Sequence, residues 1–569
     1  MNRRRFIAST AATAAVAACA PLIDRPPNNG SPNASVSRVD RLVAGMSVNE
    51  RAGQLMSVAF HGTKITPTLE AMIRDRHVGG VILYSENFDS DAATLKTLVT
   101  DLSRIAAAAK TVPLFFSIDQ EGGAVVRISR GATILPGNMA LAATPDPSDS
   151  VRKAVAITVR DLRAVGVNFE LAPDADVNNE PRNPIILNRS FGSDPQRVAA
   201  LVTAATQAFA GAGFLCCAKH FPGHGATTTD SHTGLPLLDV GRARLDSVEL
   251  VPFKAAIASG IPAIMSAHIR IPALDPTPDL PVTLSPKVMT DIVRGQLGFT
   301  GLLVTDDLEM GALTQTRTES QAGYDAFAAG ADYLLFRFDE SAQIDAHAKL
   351  SAGMLSGALD PARVDASLRR ILAVKERFGV LAGAAPTGIP GSDADRSTAD
   401  ELARASITVL RSGGLPLRGR IFVVSPVAPD IALITDQPSL GQVLAQRLPN
   451  VSTQTITLSP IQVDIDRAVA SARAADVVVM GAADLFSYPQ QAALAKALQA
   501  VKPTVLVSLR SPYDIQSAPS VSGYVCAYTG REPTLRALAD VLSGARAPTG
   551  TLPVDVPGVY RIGDGMKKL

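Results

Sequence analysis

The 569-residue chain reads as an α/β protein, a (β/α)8 TIM-type barrel followed by a smaller α/β sandwich domain. Three observations predict this. Apolar runs between residues 54 and 336 alternate with helix-length amphipathic segments, the rhythm of parallel strands that return through helices. Ionisable residues gather directly after those runs, where the strand ends of a barrel would share one rim. A stretch with two prolines and two glycines, residues 385–400, then precedes a second set of strand-like runs. A doubly wound open sheet is the alternative for the first unit, but strand count and rim clustering favour closure.

Residues 1–19, MNRRRFIASTAATAAVAAC, read as an address, with a basic start, an apolar run and a small-residue cleavage site. Ile7 to Ala18 falls short of the ~20 apolar residues that cross a bilayer. Arg3-Arg4-Arg5-Phe6-Ile7 resembles a twin-arginine export signal, and Val16-Ala17-Ala18-Cys19 resembles a bacterial lipobox. The resemblance implies cleavage before Cys19 and lipidation there, hence a cell-envelope protein anchored to a membrane on its periplasmic or extracytoplasmic side. A plain secretory signal is the alternative. Residues 20–38 read as a flexible tether.

The barrel is assigned to residues 39–384. Its predicted strands are Gln54–Phe60, Gly80–Tyr84, Pro113–Asp119, Val167–Leu171, Phe214–Ala218, Ala263–His268, Gly301–Asp306 and Tyr333–Phe336. Ala93–Ala109 and Val151–Ala164 are helix-length connections. Leu359–Leu381 is a closing helix, with Pro361 suited to its first turn and Gly379 to its stop. Residues 385–400 are the expected linker and 401–569 the sandwich. There Arg420–Ser425, Val477–Gly481, Thr504–Ser508 and Gly523–Ala527 read as a parallel sheet without a comparable cluster of ionisable groups at its strand ends.

Composition narrows the function. Lysine plus arginine number 54 against 53 acidic residues, so nothing electrostatic favours a nucleic-acid partner. The chain has no tryptophan, so sugar recognition would lean on hydrogen bonds. Four cysteines make no disulfide scaffold; Cys216 and Cys217, adjacent on a strand, point to opposite faces, and Cys526 reads as a small buried hydrophobe. No cofactor is expected.

The chemistry concentrates in Lys219–Pro236, KHFPGHGATTTDSHTGLP, where Pro222 and Gly223, Gly225 and Gly234 argue for a mobile loop after a buried strand. Cleaving a glycosidic bond with retention needs a carboxylate nucleophile and a proton donor to the leaving oxygen. Asp306, at the end of the seventh strand, suits the first role. His232 suits the second, because Asp230 two residues away can stabilise the imidazolium and set its tautomer. Asp119, Arg127, Arg189, Lys219 and His220 could grip sugar hydroxyls through charge-assisted hydrogen bonds. Asp307 could instead be a helix cap, and His224 and His268 read as supporting groups.

The segments SIDQEGGAVVR (117–127), NRSFG (188–192), KHFPGHGATTTDSHTGLP (219–236) and TDDLEM (305–310), with GARAPTGTLPVDVP (544–557) near the end, resemble family 3 glycoside hydrolases, in particular the two-domain bacterial β-N-acetylglucosaminidases. The likeness runs from about Val39 to the C-terminus. It implies Asp306 as nucleophile, His232 as acid/base paired with Asp230, and Asp119, Arg127, Arg189, Lys219 and His220 as contacts to a non-reducing N-acetylglucosamine, most naturally of a peptidoglycan fragment. Ala226 departs from the aspartate many members carry after PGHG.

Three rival readings stand beside this one. A metal site could draw on His220, His224, His232 and Asp230, but Pro222 and Gly223 break any shared helical face and Lys219 repels a cation, so no metal is expected. A non-enzymatic sugar-binding envelope lipoprotein would need the grip but not the aspartate-backed histidine. A phosphorolytic enzyme would use the same groups, since a histidine repels incoming phosphate less than a carboxylate does.

Overall fold

The computed structural model describes residues 37–383, 385–426 and 437–569. The export signal, Cys19 and the tether as far as residue 36 lie outside the described residues. Among those described, no helix is long and apolar enough to cross a membrane.

Eight parallel strands close into a barrel in chain order: β1 (Met56–Val58), β2 (Gly80–Ile82), β3 (Phe115–Ile118), β4 (Phe169–Glu170), β5 (Leu215–Phe221), β6 (Ala263–Ser266), β7 (Leu302–Asp307) and β8 (Tyr333–Phe336), with β8 pairing back onto β1. The predicted runs overlap all eight. They are near-continuously apolar because helices cover the outer face and side chains fill the interior, so nearly every strand residue is buried. β5 continues three residues past the predicted Ala218, which carries Lys219 and His220 into the strand itself.

Local signals set the helices. Asp146 caps Pro147–Val165 and Gly166 ends it in the left-handed region; Asp360 caps Pro361–Arg377, with Pro361 in the first turn and Gly379 left-handed beyond the end.

The second domain is a six-stranded sheet in the order β11-β10-β12-β13-β14-β9, made of β9 (Thr408–Ser412), β10 (Ile421–Pro426), β11 (Val451–Ile456), β12 (Val477–Ala482), β13 (Thr504–Ser508) and β14 (Gly523–Cys526). Two expectations are corrected. The sheet is mixed, because β9 runs antiparallel to β14. β9 and β11 are edge strands absent from the sequence reading; β11, VSTQTI, is mostly solvated and so lacks the apolar run that marks a buried strand. The linker is also shorter than expected. A helix at Asp393–Ser406, capped by Ser392, begins inside it, and Asp395 ties that helix to Arg160 of the barrel.

The second domain packs on the barrel's carboxyl-end loops. Met139, Ala140 and Ala143, from the loop after β3, sit in its hydrophobic core. Asn188 donates to the Tyr528 carbonyl (2.6 Å), Tyr513 Oη donates to the Asn178 carbonyl (2.9 Å), and the buried Arg531 donates to the Gly123 carbonyl (2.8 Å). These contacts support the loops that carry Glu121 and Arg189.

Candidate active site

The site is built where the barrel ladder is irregular. The β5–β6 register slips between Ala218 and Phe221, and the β7–β8 register between Val304 and Asp307. Such breaks re-aim side chains, and Lys219, His220 and Asp306 stand at them.

The five residues expected to grip the substrate form one chain of contacts. Asp119 accepts from Lys219 Nζ (2.6 Å) and from Arg127 (3.0 Å). Lys219 also meets Glu121 (2.7 Å), which receives both arms of Arg189 (3.0 and 2.8 Å). Arg189 Nη2 lies 3.2 Å from His220 Nε2, and His220 Nδ1 lies 2.8 Å from Asp176 Oδ2. A guanidinium can only donate, so His220 accepts at Nε2 and gives its Nδ1 proton to Asp176.

Electrostatics follow from this pairing. Burial opposes ionisation of Asp119, yet Lys219 and Arg127 hold its carboxyl far below the usual range. Glu121 is lowered against burial by Arg189 and Lys219, and the two carboxylates keep the Lys219 ammonium charged although it is buried. Replacing Lys219 with methionine leaves two carboxylates short of a buried cation, and about 3–5 kcal/mol of stability should be lost at neutral pH. Because their folded pKa values are depressed, the stability these groups contribute is present above the ordinary carboxylate range and lost as pH falls. The deficit of Lys219→Met against wild type in denaturant unfolding should therefore shrink on acidification; a constant deficit would contradict the pairing.

Asp306 stands half-buried at the mouth. Burial opposes its charge, but His220, His268, the Asp307 backbone N–H (2.8 Å to Oδ1) and His232 together hold its carboxyl below the ordinary value. Next to it, the buried Asp307 accepts from the Glu309 backbone (3.0 Å) and is pushed up to about 7 by burial. His268 donates from Nε2 to the Asp307 carbonyl (3.0 Å).

The 230–232 turn is brought to this rim by the β7 loop. The backbone N–H groups of Gly311 and Ala312 donate to the carbonyls of His232 and Ser231 (3.2 and 3.1 Å), and Gln315 donates to Thr233 (2.7 Å). A Cβ on Gly311 would stand 2.7 Å from the His232 carbonyl oxygen, so only glycine permits this approach. Within the turn, Asp230 Oδ1 lies 2.7 Å from His232 Nδ1 and accepts from the His232 backbone N–H (2.9 Å). That hydrogen bond, working against partial burial, raises the His232 pKa, and Asp306 pushes it the same way. Half of the His232 side chain is open to solvent (49%), which leaves it free to meet a ligand.

His224 braces the turn from beneath. Its ring nitrogens engage Thr227 (2.6 Å) and Ser231 (3.0 Å), and burial lowers its pKa to about 4, so it is neutral. Those bonds remove His224 from the metal set weighed in the sequence. Among the described residues, Asp174, Asp176 and His220 are the group whose ligand atoms converge. Arg189 already occupies the free face of His220, which opposes a cation there.

Sequence reasoning passed over Glu121, Asp174 and Asp176 as site residues. Glu121 stood inside SIDQEGG; Asp174 and Asp176 follow the fourth strand in APDADV. Acids spaced by two after a buried strand were the available signal.

The chain matches the model of the glycosyl hydrolase family 3 N terminal domain over residues 47–374 and that of the C-terminal domain over 342–561. It is 33% identical over 559 residues to beta-hexosaminidase A of Pseudoalteromonas piscicida, covering 87% of this chain and 92% of that protein. To a beta-N-acetylglucosaminidase/beta-glucosidase of Cellulomonas fimi it is 34% identical over 402 residues, 67% of this chain and 68% of the other. A solved family 3 beta-N-acetylglucosaminidase from Paenibacillus sp. str. FPU-7 superposes with a TM-score of 0.86 at 37% identity, covering 90% of this chain and 100% of that one. A closed parallel barrel, a second mixed-sheet domain and matches to both family models converge on one conclusion: the chain belongs to glycosyl hydrolase family 3 and is a glycoside hydrolase.

Proposed function

We propose that this hydrolase is a retaining exo-β-N-acetylglucosaminidase that removes the terminal non-reducing N-acetylglucosamine from peptidoglycan fragments, exported and held at a membrane by a lipid on Cys19. The observation that carries the catalytic part is the docking of the Asp230–His232 pair onto Gly311 and Ala312, five and six residues after Asp306. It brings a carboxylate and an aspartate-backed imidazole to one barrel mouth.

The steps follow from that placement. Asp119, Arg127, Arg189, Lys219 and His220 hold the sugar hydroxyls. Asp306, its carboxyl held below the ordinary value with the Asp307 N–H donating to it, attacks the anomeric carbon while His232, charged below its raised pKa, protonates the departing oxygen. The imidazole, now neutral, accepts a proton from water, which hydrolyses the glycosyl ester. The beta-hexosaminidase and beta-N-acetylglucosaminidase relatives support the choice of sugar.

The test is release of nitrophenol from the β-N-acetylglucosaminide and of N-acetylglucosamine from defined muropeptides, with product configuration followed by NMR. Initial release of the β-anomer and no acceleration by phosphate are expected. An α-anomer first product would refute retention. A sugar 1-phosphate would replace hydrolysis by phosphorolysis, and no turnover of either substrate would refute the choice of sugar.

A further inference from the structure

The grip and the nucleophile occupy β3 to β7, with Asp119 and Asp306 on opposite sides of the barrel. The remaining sector, β8–β1–β2, carries a different surface. Phe338 after β8 stacks on His61 after β1, with ring centroids 4.2 Å apart and planes at 22°, and tilts against Tyr84 after β2 at 5.0 Å. The guanidinium of Arg337 lies over both Tyr84 (5.2 Å) and Phe338 (4.7 Å), while that of Arg127 also stands over the Tyr84 ring (5.3 Å). This ledge joins the two halves of the site. Arg337 Nε comes within 3.8 Å of Asp307, next to Asp306, and Arg127 holds Asp119.

Two features of the ledge are left unused by the steps above. His61 and Phe338 present ring surface at the mouth, the His61 side chain being 69% exposed. Arg337 is 37% exposed, and its guanidinium makes no hydrogen bond among the described residues. Asp307 stands too far away for one, and burial pushes that carboxyl up to about 7, so it compensates Arg337 only in part. Glu86 is engaged with His61, and Glu309 accepts from the Phe338 backbone.

We infer that this ledge is the leaving-group subsite, which takes a ring bearing a carboxylate: Phe338 and His61 underlie the ring and Arg337 pairs with the acid. The inference rests on the N-acetylglucosaminidase reading and names what departs. An arginine with a planar fork of unused donors suits a carboxylate better than a hydroxyl. An apolar aromatic face beside it suits the face of a sugar, in a chain without tryptophan. A muramic-acid-type hexosamine, with its ether-linked carboxylate, has both features; chitobiose lacks the charge.

The experiment compares kcat/KM on three substrates of the full chain: the nitrophenyl N-acetylglucosaminide, chitobiose, and N-acetylglucosaminyl-β-1,4-N-acetylmuramic acid without peptide. Wild type should favour the acidic disaccharide over chitobiose, and added salt should weaken that preference. In Arg337→Gln the acidic-to-neutral ratio should fall about ten- to hundredfold, Arg337→Lys should restore part of it, and Arg337→Glu should invert it. Phe338→Ala should raise KM for both disaccharides more than for the nitrophenyl substrate. An acidic-to-neutral ratio unmoved by all three Arg337 substitutions, in variants that unfold like wild type, would overturn the subsite. If wild type turns over the nitrophenyl substrate but neither disaccharide, the subsite is likewise overturned while the choice of sugar survives. Failure on all three substrates refutes the choice of sugar itself and the subsite with it.

Discussion

Asp306→Ala should lower kcat by about 10⁴-fold or more, with folding intact. The side chain is half-buried at a barrel mouth and makes only a local hydrogen bond, to its neighbour's N–H, so its removal strands no buried partner. His232 loses one of the anions that raise its pKa and should titrate lower, so no unpaired buried cation is left behind. Added azide should recover turnover and give the α-glycosyl azide, because the small anion enters from the face the carboxylate vacated. Near wild-type rates in purified Asp306→Ala would remove the proposed mechanism.

Removing the other half of the pair should leave a pH signature. His232 has its pKa raised chiefly by the hydrogen bond to Asp230. A proton donor works only below its pKa, so activity should hold below that raised value and be lost as pH rises through it. In Asp230→Asn the stabilising charge is gone, the imidazole titrates lower, and the alkaline limb should move to lower pH. His232→Ala should cost about 10²–10⁴-fold in kcat/KM on disaccharides. The loss should be smaller on the nitrophenyl substrate, whose leaving group needs little protonation. An alkaline limb that stays in place in Asp230→Asn would show that another group sets it. Because His232 is half exposed, the pair should matter little for stability.

Gly311 shows how narrowly the turn is located. Its missing side chain lets the β7 loop lie against the His232 carbonyl, so nucleophile and donor are tied through five residues of backbone rather than by a long flexible reach. His224 completes the support by holding Ser231.

Much of this was legible from residues in line. Continuous apolar runs with helix-length returns encode a parallel barrel because each strand is covered on both faces, and all eight runs overlap observed strands. Motif segments likewise led to the family. The edge strands β9 and β11 and the helix beginning at Asp393 escaped notice, because a solvated edge needs no apolar period and capped helices can start inside a Pro/Gly-rich stretch. What linear order could not reveal was partnership. Asp119 and Lys219 are 100 positions apart, and Arg189 and Glu121 are 68 apart, yet barrel closure sets them within hydrogen-bonding distance. A side chain's chemistry is local and readable from its letter, whereas its charge state, tautomer and aim depend on which neighbours the closed sheet supplies. So the sequence alone specified the eight barrel strands and named the candidate acid, imidazole and basic grip. Tertiary structure alone decided that Glu121 and Asp176 join them, that His224 serves as a brace, and that Arg337, only partly compensated by Asp307, stands over an aromatic ledge beside the site.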